Sequence, residues 1–168
     1  KTAHTKDFQN SLFEEMKSRI KEDDSSVPYK FNGYWYITRY EKGKDYPIYT
    51  RKKESLTATE ELLFDCNKMA KGHSYFRLVG LNISPDNERA AFALDTIGRR
   101  QYTLYIKDLK SDKILEDKVD NCTGGSTWAN DNQTLFYTLK NETTLRSEAV
   151  YRHKLGTSSS EDVLVFEE

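Results

Sequence analysis

The stretch "CTGGSTW", Cys122 to Trp128, is where the chain comes nearest to a catalytic nucleophile. Gly124 precedes Ser126 by two places, as in a G-x-S-x-G elbow, but that motif needs a second glycine two places after the serine for close helix–strand packing. Trp128 stands there instead, and a strand pattern follows it. A Gly-rich turn entering a strand accounts for the stretch, so Ser126 is assigned no catalytic role. A nucleophile would also need a histidine oriented by an acid. His4, His73 and His153 lie in a helix-leading segment, a loop and a strand, without partners at metal-ligand spacing, and are expected at surface or edge positions. Cys66 and Cys122 follow no CxxC pattern and read as buried or partly buried thiols. No catalytic residue, metal site or cofactor is therefore assigned. Asp23-Asp24 and Glu60-Glu61 are adjacent runs rather than opposed pairs, which solvated positions explain. One loop keeps a functional reading. "DTIGRRQY" places Arg99 and Arg100 between two strands, either as a solvated hairpin loop or as an interdomain or ligand-facing loop whose guanidinium forks suit carboxylates.

Bulk properties narrow the partners. The 168 residues carry 26 basic and 27 acidic side chains, a net charge of −1, so no basic field exists to hold nucleic acid. Eleven Tyr and eight Phe are too many for a disordered segment and suit a β-rich fold. No apolar run reaches the length of a membrane-spanning helix, and no membrane partner is expected. The residues suit cytoplasm or periplasm alike.

The elements that would position these residues follow from periodicity. Phe8, Leu12, Phe13, Met16 and Ile20 recur at helical spacing, predicting an amphipathic helix over Thr5–Lys21 within an N-terminal helical segment, 1–26. From residue 27 the chain reads as strands, with a helical turn or two near "DCNKMAKGHSYF". "ISPDNERAAFALD" returns as "WANDNQTLFYTLK", with Asp131 following Asp86 by 45 positions. A repeat of that length is the size of a four-stranded propeller blade. Ala90, Phe92 and Leu94 alternate with Ala91 and Ala93, so both faces of that strand are apolar, as a blade between two neighbours requires. The predicted fold is mainly β: an N-terminal α-helix followed by a partial β-propeller of four-stranded antiparallel sheets, with blades at about 27–72, 73–120 and 121–168. The first of these lacks a clear opening strand. Propellers close with about four to eight blades, so three imply a larger protein with the remainder outside this sequence.

"KFNGYWYITRYEKGKDYPIYTRK", "LNISPDNERAAFALDTIGRRQYTLYIKDL", "STWANDNQTLFYT" and "VYRHKLGTSSSEDVLVFEE" together resemble the N-terminal part of the prolyl oligopeptidase family of serine peptidases, in its oligopeptidase B (protease II) branch. The resemblance covers nearly the whole chain. It implies a seven-bladed propeller capping an α/β-hydrolase domain that cleaves short peptides, after basic residues in this branch. The chain would then be the first blades, a substrate-size gate without catalytic residues of its own, whose partner is the C-terminal hydrolase domain absent from this sequence. The alternative from another class is a non-enzymatic propeller that serves as a binding scaffold. Open blades are also expected to self-associate, through Trp35, Tyr36 and Phe92 or through Leu135 and Tyr137.

Overall fold

A computed structural model describes residues 3–167 apart from 142 and 145. It divides into two compact units, one ending at Asn67 and one beginning at Lys68.

The first unit opens with helix α1, Lys6–Ser18, shorter at its C-terminal end than the apolar period suggests. Its apolar residues Phe8, Leu12, Phe13 and Met16 are all exposed, as is Ile20 just beyond its end. A four-stranded antiparallel sheet follows in the order β1 (Tyr29–Phe31), β2 (Tyr34–Arg39), β3 (Ile48–Lys53), β4 (Glu60–Asp65). The opening strand missing from the sequence reading is β1. Asn32 and Gly33 both take positive φ, 45° and 82°, and close a two-residue hairpin onto β2. Tyr36, Ile48, Leu63 and Phe64 form the buried centre, where Arg51 joins them. Its guanidinium lies 4.1 Å over the Tyr34 ring and donates from Nε to Glu61 at 2.7 Å, so the buried charge is paired on both sides. A single helical turn, α2 (Cys66–Met69), ends the sheet.

The second unit is one seven-stranded antiparallel sheet with its strands in sequence order: β5 (Arg77–Ile83), β6 (Arg89–Asp95), β7 (Tyr102–Asp108), β8 (Lys113–Trp128), β9 (Thr134–Lys140), β10 (Ser147–Lys154) and β11 (Val163–Glu167). "KILED" at one end and "STW" at the other belong to the single strand β8. Its first part pairs with β7 and its last part with β9. Between them Asn121 and Gly124 take positive φ, 58° and 94°, and the register slips on both sides. Such irregularities bend a strand. The bend turns two four-stranded halves, sharing β8, onto each other.

Their common core shows the result. Ala91 and Ala93 from β6, Leu104 and Ile106 from β7, and Leu135 and Tyr137 from β9 form one buried cluster. Ala90 and Phe92, on the opposite face of β6, are also fully buried, Phe92 stacking on Tyr105 at 5.8 Å. Both faces of β6 are thus covered, as its doubly apolar pattern requires. The residues expected to offer open contacts are not available: Tyr36, Phe92, Leu135 and Tyr137 are buried and Trp35 is half-buried. Exposed apolar side chains include instead those of α1, of Tyr29 and Phe31 on β1, and a row along β11, where Val163, Leu164, Val165 and Phe166 are all exposed.

Candidate functional site

The two halves of the second unit meet where their inner strands come close. An ideal Cβ on Gly80 would sit 1.8 Å from the carbonyl oxygen of Gly124, and one on Gly124 would sit 2.8 Å from Val79 Cγ2. The Asn82 amide donates to the Ser126 carbonyl at 2.8 Å, and the Trp128 indole donates to the Asn82 carbonyl at 3.1 Å. Ser126 is therefore a structural residue of a strand seam, on a strand and not at an elbow.

The repeated turns meet at one end of the unit. Ser84–Asn87 and Ala129–Asn132 each place Asn at positive φ, 64° and 60°. Asp86 accepts from the Glu88 N–H at 3.0 Å, and Asp131 accepts from those of Gln133 and Thr134, both at 2.9 Å. These are Asx-type closures, which explains why Asp and Asn recur there. Asn132 Oδ1 then accepts from the Asp86 N–H at 2.9 Å, so residues 46 positions apart in sequence bind the two turns together.

The β6–β7 loop carrying Arg99 and Arg100 lies at the opposite end. Asp95, 1% exposed, is its anchor. Its carboxylate accepts from the N–H groups of Ile97 and Gly98 at 2.8 Å and of Arg100 at 2.7 Å. Burial raises the Asp95 carboxyl, but the backbone bonds of Ile97, Gly98, Arg100 and Arg99 outweigh it and hold the group below its ordinary value. Lys140 of β9 donates to the Arg100 carbonyl at 2.8 Å, tying the loop to the neighbouring half. Both arginine side chains are exposed. The loop is thus a fixed, cation-bearing projection. Asp95→Asn is expected to lower stability by about 2 kcal/mol through loss of charge-assisted bonds. Because the folded value is lowered, this contribution is full above the ordinary aspartate range and disappears as pH falls through the lowered value. Urea unfolding of both forms at neutral and acid pH measures it, and the difference between them should shrink on acidification.

The histidines divide sharply. His4 and His73 are exposed, in a short 3-10 turn and a turn before β5. His153, expected at a surface or edge, is completely buried on β10. Its Nδ1 lies 2.7 Å from Asp162 and its Nε2 lies 3.2 Å from Asp117. Asp162 also accepts from the Tyr137 hydroxyl at 2.7 Å, and Asp117 from the Gly156 N–H. Burial first, and then the Asp162 bond, push the Tyr137 hydroxyl well up, which keeps it a donor. With both ring nitrogens engaged by carboxylates, His153 has none free to activate a serine. Spacing concealed the cluster because its members lie on β8, β9, β10 and the loop before β11.

Cys66 and Cys122 are buried free thiols. Burial pushes Cys66 up to about 12 and raises Cys122, which makes both poor nucleophiles. Among the described residues no group of three or more His, Cys, Asp or Glu is arranged to hold a metal ion.

Two face-packed halves that each pair four antiparallel strands, joined through the bent β8, have the make-up of consecutive propeller blades. Residues 1–168 match the prolyl oligopeptidase N-terminal β-propeller domain. The chain belongs to that family. It is 40% identical to dipeptidyl aminopeptidase BI of Pseudoxanthomonas mexicana, across 99% of this chain and 25% of the relative. It is 33% identical to Protease 2 of Moraxella lacunata, across 94% of this chain and 24% of the relative. The solved oligopeptidase B of Leishmania major superposes with a TM-score of 0.90 at 35% identity, covering 99% of this chain and 24% of that one. The propeller chain thus spans about a quarter of the length of these relatives.

Proposed function

We propose that this propeller segment restricts access to the active site of a serine oligopeptidase and performs no chemistry itself. The observation that carries the non-catalytic part of the reading is the placement of the chemistry-bearing groups: both nitrogens of His153 face carboxylates, the thiols are buried, and the Ser126 hydroxyl is enclosed within a strand seam; the access-limiting part rests on membership of the propeller family. The peptidase names of its relatives support peptide substrates. Cleavage after basic residues rests on the oligopeptidase B resemblance alone. The Arg99–Arg100 loop is proposed as a contact toward the hydrolase domain or a bound peptide, since Asp95 and Lys140 fix its backbone while the guanidinium groups project.

The purified chain should not turn over an Arg-containing reporter peptide. Residual turnover that vanished in Ser126→Ala would overturn the non-catalytic reading. The exposed apolar row on β11, together with α1, predicts concentration-dependent self-association of the isolated chain. Sedimentation should show species larger than a monomer at high concentration, and Val165→Lys should shift them back toward monomer. A strict monomer at every concentration would contradict the expectation.

A further inference from the structure

We propose that Gly125 and the strand face around it are the socket for the inner strand of a further blade, supplied by the remainder of a protein of the relatives' length. The repeat supplies the register. Gly125 follows Gly80 by 45 positions, the same offset that separates Asp131 from Asp86. At Gly80 the two halves of the second unit touch backbone to side, because a Cβ there would overlap the carbonyl oxygen of Gly124 on the inner strand of the next half. Only glycine leaves room for a carbonyl at such a joint. Gly125 repeats the glycine without the occupant: its Cβ direction meets nothing within 4 Å, and its φ lies outside the left-handed region. Neither backbone conformation nor any group packed against it in this chain therefore requires glycine there. A following inner strand that repeated the approach of β8 to β5 would bring its own carbonyl to that place.

The rest of that face repeats the pattern. Asn82, Ala91 and Ala93 meet the next half together with Gly80: Asn82 donates to the Ser126 carbonyl at 2.8 Å, and both alanines are completely buried in the shared core. Thr127, Phe136 and Thr138 stand 45 positions after them. Thr127 pairs with Phe136 across β8 and β9, so the two share one face, and Thr138 lies two places along on the same side. Thr127 is exposed, and Phe136 and Thr138 are half-buried. On β9 only the opposite side, with Leu135 and Tyr137, is buried, whereas β6 is buried on both sides. Phe166 of β11, exposed, lies in register with Thr138 through Val150 and extends the same face. Two open aromatic rings beside a bare glycine suit the face of another sheet better than water. This chain spans about a quarter of the relatives it matches, so their length holds the sequence for such a blade. The joint stands whether or not the propeller limits access to an active site, because it rests on the repeat and its packing alone.

The test introduces one thiol, Thr127→Cys, a change of little volume, and follows its reaction with a water-soluble maleimide. Cys66 and Cys122 are buried, so their own reaction is slow. In a protein of the relatives' length that carries these residues, the introduced thiol should react about tenfold or more slower than in the same protein unfolded in urea. In the 168-residue chain it should react freely. Adding Gly125→Ala should restore much of the reactivity in the longer protein, since the methyl displaces the incoming carbonyl, and should leave the rate in the 168-residue chain unchanged. The unfolded reference keeps the test decisive if the 168-residue chain does not fold alone. Equal rates in the folded and unfolded longer protein would overturn the proposal, as would protection that Gly125→Ala did not relieve. Protection in the 168-residue chain that grew with its concentration would make a second copy the occupant, and would overturn it too.

Discussion

Gly80→Ala should destabilise the second unit by about 3 kcal/mol or more. The added methyl would lie 1.8 Å from the Gly124 carbonyl oxygen, a backbone atom that no rotamer change can move. Gly80 also sits at φ 63°, a left-handed conformation that costs a side-chain-bearing residue about 1 to 2 kcal/mol. Relief would require β5 to draw away from the bend in β8, breaking the bonds from Asn82 and Trp128 that hold the inner strands together. Gly125→Ala is the control. Its Cβ meets nothing within 4 Å, so its effect should stay within about 0.5 kcal/mol. Thermal unfolding of the pair should separate the two variants clearly, and equal melting temperatures would mean that the inner strands are not in close contact.

His153→Leu should cost about 3 to 5 kcal/mol, because it leaves the carboxylates of Asp117 and Asp162 buried without the group that joins them. The size change is modest, so a packing account would predict a smaller loss. The Asp117→Asn, Asp162→Asn, His153→Leu triple variant separates the two. Neutralising the stranded carboxylates should recover part of the stability if charge causes the loss, whereas a packing defect would persist. Urea midpoints of the three forms measure this, and no recovery in the triple variant would contradict the electrostatic account.

How far the sequence revealed these features depended on whether the cause was local. The repeated Asp-Asn turns were legible because each closes on its own neighbours through Asp86 or Asp131. The doubly apolar pattern of β6 was legible for a similar reason: alternation along one strand records both faces at once. Strand β1 was missed although Asn32-Gly33 is a strong hairpin signal, because three residues after Pro28 give too short a pattern to read. The unity of β8 was hidden by Asn121 and the glycines, which look like a turn but bend a continuing strand. The His153 cluster was illegible for a deeper reason. Its contacts span up to 36 positions, and nothing at His153 itself distinguishes an edge residue from a buried one. The apolar surface was misplaced because aromatic type alone does not distinguish Tyr137, at the centre of a core, from Phe166 on an open edge.

The central claim, that the propeller limits access to peptides without performing their hydrolysis, is tested most directly in a protein of the relatives' length that carries these 168 residues. A graded series of peptides would present one identical cleavage site within increasing lengths of flanking chain, ending with the same site in a folded domain. The account predicts that kcat/KM falls as length increases and vanishes for the folded domain, while the shortest peptide is cleaved freely. Equal kcat/KM along the whole series, folded domain included, would contradict it.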